Sequence, residues 1–75
     1  MTITIFYFAQ LAEERGQKQE TLQISVPMTL YELFFYIFKR EPSGLRFAQN
    51  HEYVSEQSNI EHGDEIAFIP PLGGG

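Results

Sequence analysis

Apolar and polar residues alternate at the start of the chain and predict a β-strand from Thr2 to Ala9. One face of this strand carries Ile3, Ile5 and Tyr7. The opposite face carries Thr2, Thr4, Phe6 and Phe8. Because threonines share that second face, it should be the wetter one. Phe6 and Phe8 are therefore expected to be exposed phenyl rings on the outside of a sheet.

A second alternating segment, from Glu20 to Val26, predicts a strand that pairs with the first. Its apolar face carries Leu22, Ile24 and Val26. Between the two strands, Gln10–Arg15 fits a short helix, and Gly16 is well placed to end it in the left-handed conformation.

The middle of the chain has helical periodicity and begins with a capping box formed by Thr29 and Glu32. Five apolar residues then fall on one helix face: Leu30, Leu33, Phe34, Ile37 and Phe38. Pro42 follows and prevents the helix from continuing. Burying these five side chains contributes roughly 8–15 kcal/mol before entropy is counted. We therefore expect the sheet to pack on this helix.

The last part of the chain predicts three short strands. They are Arg46–Gln49, a brief return at residues 53–54, and Glu65–Ile69, which a turn at residues 62–64 introduces. In the final strand, Ile66 and Phe68 face one way while Ala67 and Ile69 face the other. Strands grouped around a single long helix predict an α+β domain, a mixed sheet packed on one main helix.

Composition narrows the classes of function. The 75 residues suffice for one small domain, and the formal net charge of −5 disfavours nucleic acid and suits protein partners with basic surfaces. The sequence has no cysteine, which excludes a disulfide, a thiol nucleophile and a thiolate metal site. We see no signal-peptide pattern and no apolar run of membrane-spanning length, so we expect a cytoplasmic protein.

Candidate catalytic groups are sparse. His51 and His62 fall in predicted turns without partners at metal-ligand spacing, so no metal site is expected. The adjacent carboxylates of Asp64 and Glu65 should point apart, and a solvated turn whose geometry Asp64 sets is the favoured interpretation. No serine or threonine has the context of a nucleophile. The body of the domain therefore shows no catalytic apparatus.

The last six residues are Pro70, Pro71, Leu72, Gly73, Gly74 and Gly75. The one reactive group that this segment offers is the α-carboxylate of Gly75. Prolines cannot continue a sheet ladder, and glycines let another backbone approach closely. From Pro71 to Gly75 an extended chain reaches at most about 17 Å, enough to enter a partner's deep pocket. The segment is thus either a thread for a partner or a frayed terminus.

An apolar patch should lie beside this thread. If the first and last strands are neighbours, Phe6, Phe8, Ala67 and Ile69 form one patch on the outer sheet face. Such a patch marks a partner surface. The alternative is that the segment Gln10–Arg15 or its loop covers these side chains.

With these residues laid out, the sequence resembles the small subunit of molybdopterin synthase, a ubiquitin-like sulfur carrier of the β-grasp fold. The resemblance rests on three motifs: Phe6-Tyr7-Phe8-Ala9-Gln10, Asn50-His51-Glu52-Tyr53-Val54, and residues 62–75 with their Phe-x-Pro-Pro-Leu-Gly-Gly-Gly ending. Gln49 departs from the family pattern, which more often has an apolar residue there, and we expect little to follow from it.

The resemblance implies a β-grasp domain over residues 1–70 and a flexible tail over residues 71–75. It implies that Gly75 is adenylated from ATP by a ubiquitin-activating-like enzyme and receives sulfur from a separate donor as a thiocarboxylate. The large subunit of the synthase, in a heterotetramer, would then pass this sulfur to cyclic pyranopterin monophosphate. The chain itself would bind no cofactor and would not be catalytic alone.

Three other functions remain open at this point. The chain could carry sulfur for thiazole or for thiolated tRNA, with the same terminal chemistry. It could be a protein modifier joined to lysines, or a plain binding domain with a floppy end.

Overall fold

The elements follow the order that the sequence predicts. The computed structural model describes residues 1–71. Within them lie the strands β1 (Thr2–Tyr7), β2 (Gln19–Gln23), β3 (Arg46–Gln49), β4 (Glu52–Val54) and β5 (Glu65–Ile69). The helices are α1 (Ala9–Arg15), after β1, and α2 (Leu30–Phe38), after β2. The predicted α+β class is confirmed.

The strands form one mixed sheet in the order β2-β1-β5-β3-β4. β1 lies antiparallel to β2 and parallel to β5, so the first and last strands are neighbours at its centre. β3 pairs antiparallel with both β5 and β4. The parallel register places Phe6 beside Ala67 and Tyr7 beside Phe68. This pairing satisfies the condition on which the predicted outer patch depends.

The core lies between the sheet and α2. Every second residue of β1 is buried, as the alternation predicts, and Ile3 and Ile5 are fully buried. Phe68 of β5 is the centre of an aromatic cluster whose ring centroids lie 5.2–6.4 Å away, in Phe34, Phe47, Tyr7 and Phe38. Large aromatic side chains thus fill the core of a small domain.

The capping box at the start of α2 is present as predicted. The Thr29 side chain accepts a hydrogen bond from the Glu32 N–H at 3.2 Å, and the Glu32 carboxylate accepts one from the Thr29 N–H at 2.9 Å. The helix ends where Lys39 adopts the left-handed conformation, with φ 61°, and its N–H bonds to the Phe35 carbonyl. The cap fixes where the main helix begins and thereby which of its faces reaches the sheet.

Two predicted strand ends are wrong by two or three residues. β1 ends at Tyr7 rather than Ala9, because Phe8 caps α1 and Ala9, with φ 50°, already begins the helix. β2 ends at Gln23 rather than Val26, because its register against β1 reaches Thr2 there. Ile24 still bonds to Met1 and is buried, whereas Val26 is exposed.

None of the helices within residues 1–71 has the length and apolar character that a membrane crossing requires.

Candidate functional site

The outer sheet face, opposite α2, carries a row of side chains that crosses four strands. Cross-strand registers place Phe6 beside Ala67, Ala67 beside Ala48, and Ala48 beside Tyr53. We call these four residues the outer row. The sequence predicted Phe6 and Ala67, but Ala48 and Tyr53 were missed, because they join only when β3 pairs with β5. The row is therefore a product of strand order.

The outer row is accessible to a partner. Tyr53 is 66 % exposed, while Phe6, Ala48 and Ala67 are half-buried. The guanidinium of Arg46 lies 5.3 Å from the centroid of the Tyr53 ring, a cation–π contact that steadies the exposed end of the row. Neighbouring apolar side chains with one fixed aromatic ring are typical of a protein-binding surface.

Helix α1 does not cover Phe8, whose side chain the sequence predicted to be exposed. Phe8 is 48 % exposed, although it directly precedes α1. A hollow of about 390 Å³ lies at this end of β1, lined by Phe6, Phe8, Ala12, Lys18 and Gln19 among others. The alternative that α1 or its loop covers Phe8 is therefore wrong. Phe6 and Phe8 instead border one open hollow at the margin of the outer row.

The chain leaves the sheet beside this surface. β5 ends at Ile69, as expected from the missing N–H of Pro70, and Ile69 is half-buried on the outer face. A hollow of about 350 Å³ is lined by Gly44, Arg46, Tyr53, Ile69, Pro70 and Pro71. Pro70 is buried, so it belongs to the body rather than to a thread, and Pro71 is exposed. The predicted thread residues Leu72, Gly73, Gly74 and Gly75 lie outside the described residues.

A buried carboxylate holds the strands behind the outer row together. Asp64 is 6 % exposed, so its prediction as a solvated residue is wrong, whereas its role in setting the turn is confirmed. Its two oxygens accept hydrogen bonds from Gln49 at 2.7 Å, Asn50 at 2.9 Å and the Glu61 N–H at 2.8 Å. Burial raises the pKa of Asp64, but these three donors outweigh it and hold that pKa below its usual value.

Gln49 extends the hydrogen-bond network around Asp64 to the loop before β5. Its amide also donates to the Asn59 carbonyl at 2.9 Å and accepts from the Ser58 hydroxyl at 2.6 Å. The departure from the family pattern at Gln49 therefore has a structural consequence, contrary to expectation. The polar side chain links β3 to the loop before β5, and its partner Asp64 directly precedes β5.

A second polar group fixes α1 against the sheet. The Tyr7 hydroxyl donates to the Glu20 carboxylate at 2.5 Å, and Arg15 binds the same carboxylate through two nitrogens at 2.8 and 2.9 Å. Burial and the neighbouring Glu20 carboxylate together raise the pKa of Tyr7 well above its usual range. The Arg15 guanidinium lowers the pKa of Glu20. The Glu20 carboxylate is thereby paired with a cation from α1 within the fold.

The described residues offer little for catalysis. Within residues 1–71 no three His, Cys, Asp or Glu side chains are placed to hold a metal ion. The fold brings His51 to 3.1 Å from the Glu65 carboxylate, a contact between the β3–β4 turn and β5 that sequence spacing did not reveal. Asp64 and Glu65 point apart as predicted, one buried and one exposed. The described residues instead present an accessible, partly apolar surface beside the point where the chain leaves the sheet.

Comparison with known proteins identifies the family of this chain. A family model described as the ThiS family matches residues 5–75. The chain belongs to the ThiS family. A relative named "Molybdopterin synthase sulfur carrier subunit" from Chlamydomonas reinhardtii is 34 % identical, with 100 % of both chains covered. A relative of the same name from Homo sapiens is 33 % identical, covering 97 % of this chain and 93 % of the relative.

Solved structures place this ThiS-family chain in the ubiquitin-like β-grasp fold. SAMP1 from Haloferax volcanii matches with a TM-score of 0.81 and 19 % identity over 100 % of both chains. Subunits 1 and 2 of the molybdopterin-converting factor from Helicobacter pylori were solved as a complex. A chain of that complex matches with a TM-score of 0.66 and 18 % identity, again over 100 % of both chains. At these identities the likeness carries the fold alone.

Proposed function

We propose that this chain is the sulfur carrier subunit of a molybdopterin synthase. The observation that carries the proposal is the full-length similarity to two relatives of that name, at 33–34 % identity. The outer row supports it, because it places an accessible docking surface beside the base of the carboxyl-terminal segment. The reactive group is the α-carboxylate of Gly75.

The chemistry begins with activation of that carboxylate. A terminal carboxyl group with a pKa of about 3.5 is ionised at neutral pH and resists nucleophiles. An adenylating enzyme joins the Gly75 carboxylate to the α-phosphate of ATP and releases pyrophosphate. Sulfide delivered by a donor enzyme then attacks the acyl carbon, AMP leaves, and Gly75 carries a thiocarboxylate. The chain supplies a substrate for these steps and performs no catalysis alone.

The partner in sulfur transfer is the large subunit of the synthase. In our proposal it docks on the outer row, takes the terminal segment into its active site and passes sulfur to cyclic pyranopterin monophosphate. Two sulfurs are needed for the dithiolene, so carriers are exchanged or reloaded between transfers. In our proposal the assembly is a heterotetramer with one carrier at each end of a large-subunit dimer.

Intact mass measurement tests the proposal directly. The full chain is incubated with ATP, a sulfur donor and the adenylating enzyme of its own organism. We expect a mass gain equal to the exchange of one oxygen for one sulfur, mapped to Gly75. An unchanged mass with an enzyme shown to be competent on another carrier would overturn the sulfur-carrier function.

The same incubation, followed by assays with each acceptor and by a truncation, distinguishes the alternative functions. Higher-mass conjugates on lysines would indicate a protein modifier. A loaded chain that fails with the large synthase subunit but serves thiazole or tRNA thiolation would move the function to that pathway. Undiminished function after removal of Gly74 and Gly75 would indicate a plain binding domain.

Substitution of Gly74 tests whether the terminal segment must pass a narrow channel. We expect Gly74→Val to leave the free energy of unfolding unchanged and to abolish loading or transfer, because a β-branched side chain obstructs close backbone approach. Gly74→Ala should give an intermediate loss. Full activity of the valine variant in the mass assay and in synthase turnover would contradict threading.

A further inference from the structure

The helix α2 carries an aromatic surface on the side away from the sheet. Phe35 is 48 % and Tyr36 is 54 % exposed, although both belong to the main helix. With Tyr31, Glu32 and Lys39 they line a hollow of about 570 Å³. We call Glu32, Phe35, Tyr36 and Lys39 the α2 outward face. It lies on the opposite side of the molecule from the outer row.

The α2 outward face has opposite charges at its two ends. Glu32 lies in the first turn of α2, and Lys39 is the residue at its C-terminal cap. The Lys39 ammonium lies 5.1 Å from the centroid of the Tyr36 ring, so it is held on this face. Glu32 accepts the Thr29 N–H through one carboxylate oxygen, which leaves a second oxygen with acceptor capacity.

These positions are symmetric about the middle of the helix. Glu32 and Lys39 are equally far from a point between Phe35 and Tyr36, and they are separated by about 10 Å along the axis. A second α2 laid antiparallel across this point brings each Glu32 beside the Lys39 of the other copy. The aromatic rings then meet at the two-fold axis. The two helix dipoles are antiparallel, so the positive end of each lies beside the negative end of the other. This is the self-complementarity that a two-fold interface requires.

We propose that the α2 outward face is a self-association surface, on which a second copy of this chain docks antiparallel. A nine-residue helix presents little area, so the dimer belongs with weak, transient interfaces below about 1,200 Å². Because the outer row faces the other way, each copy in the dimer keeps that row free for a partner. The proposal does not rest on the proposed function.

Sedimentation equilibrium and the concentration dependence of amide chemical shifts test the surface. The full chain is measured from micromolar to millimolar concentration at physiological salt, where a Debye length of about 8 Å screens the net charge. We expect the average mass to rise toward that of a dimer, with shift changes confined to α2. Tyr36→Ser should weaken association about tenfold, whereas the matched Tyr53→Ser on the outer row should leave it unchanged.

Charge variants test the antiparallel arrangement. Lys39→Glu and Glu32→Lys each create two like-charge contacts in a homodimer, and each should weaken association about tenfold. An equimolar mixture of the two variants pairs opposite charges at both ends and should restore association. Circular dichroism of each variant checks that α2 remains folded despite the altered cap.

Three results would overturn the proposal. The first is a wild-type chain that stays monomeric at millimolar concentration. The second is association that Tyr53→Ser rather than Tyr36→Ser removes, which would place the contact on the outer row. The third is a mixture of folded charge variants that associates no better than either variant alone.

Discussion

At the scale of single residues, Asp64 shows how a buried charge stabilises this small fold. Three hydrogen-bond donors surround a carboxylate that is 6 % exposed, and the donors come from β3, the β3–β4 turn and the loop before β5. A buried charge costs free energy unless it is fully satisfied. Asp64 therefore ties together strands that are distant along the chain, provided that it stays ionised.

We expect Asp64→Asn to lower the free energy of unfolding by about 1–3 kcal/mol at neutral pH, because its amide turns a donor toward other donors. Since the folded pKa of Asp64 is depressed, its contribution is full above the unfolded value of about 3.9 and is lost as the pH falls through the folded pKa. Urea denaturation at neutral pH and near pH ~3 should show a smaller acid loss in the variant than in the wild type. An equal loss in both would contradict this role.

Tyr7 gives the complementary prediction at alkaline pH. Tyr7→Phe keeps the ring in the core but removes the hydroxyl that donates to Glu20, and should cost about 1 kcal/mol at neutral pH. Because the folded pKa of Tyr7 is raised, its contribution is full below the unfolded value of about 10 and is lost as the pH rises through the folded pKa. Denaturation across this range should show a steeper alkaline loss in the wild type. Tyr36→Phe, on an exposed side chain, is the matched control.

At the scale of elements, the sequence correctly predicted the features that neighbouring residues determine, namely helix caps and the alternating burial of a strand. The capping box at Thr29, the left-handed Gly16 and the buried alternation of β1 all appear as predicted. The errors lie at the ends of two strands, where periodicity gives no information: α1 begins directly after Phe8, and the register against β1 ends β2 before Val26. The junction of Gln49 with Asp64 was missed for a related reason, because 15 residues separate its members along the chain.

The cap on α2 makes a testable contribution to stability. Thr29→Ala should lower the free energy of unfolding by about 1 kcal/mol, since the Glu32 N–H loses its acceptor at the start of the main helix. Thr29→Ser retains the hydroxyl and should change it little. Chemical denaturation of the two variants beside the wild type makes the comparison. A loss of the same size in both would assign the effect to the Thr29 methyl group instead of the cap.

At the scale of the whole molecule, the outer row depends on the order of the strands. The sequence placed Phe6 and Ala67 on the outer face by alternation, but nothing local indicated that β3 would bring Ala48 alongside. Fold class followed from the count and order of elements, and the β-grasp fold followed from the family resemblance carried by three motifs, of which the terminal one is the most specific. The continuous surface required the structure, because it joins residues from β1, β3, β4 and β5.

A charge at the centre of the outer row should separate binding from folding. Ala48→Glu places a carboxylate between Ala67 and Tyr53, and we expect it to weaken binding of the large synthase subunit about tenfold or more, since the charge would be buried without a partner. Thr21→Glu, on the exposed edge strand β2, is the matched control. Calorimetric titration of each variant measures binding, and denaturation measures stability. Equal binding by both variants would exclude the outer row as the contact surface.

The parallel pairing of β1 with β5 also determines how the domain responds to mechanical force. Tension applied at Pro71 against a held β1 loads the neighbouring pairs from Thr4–Glu65 to Tyr7–Phe68 together, in shear. An antiparallel pair such as β3–β4, pulled at its open end, would instead unzip one bond at a time. Because the load is shared among these pairs, a domain loaded in shear stays folded under forces that would open a hairpin. In our proposal, where the terminal segment enters and leaves the large synthase subunit, this arrangement would keep the domain folded while that segment is withdrawn.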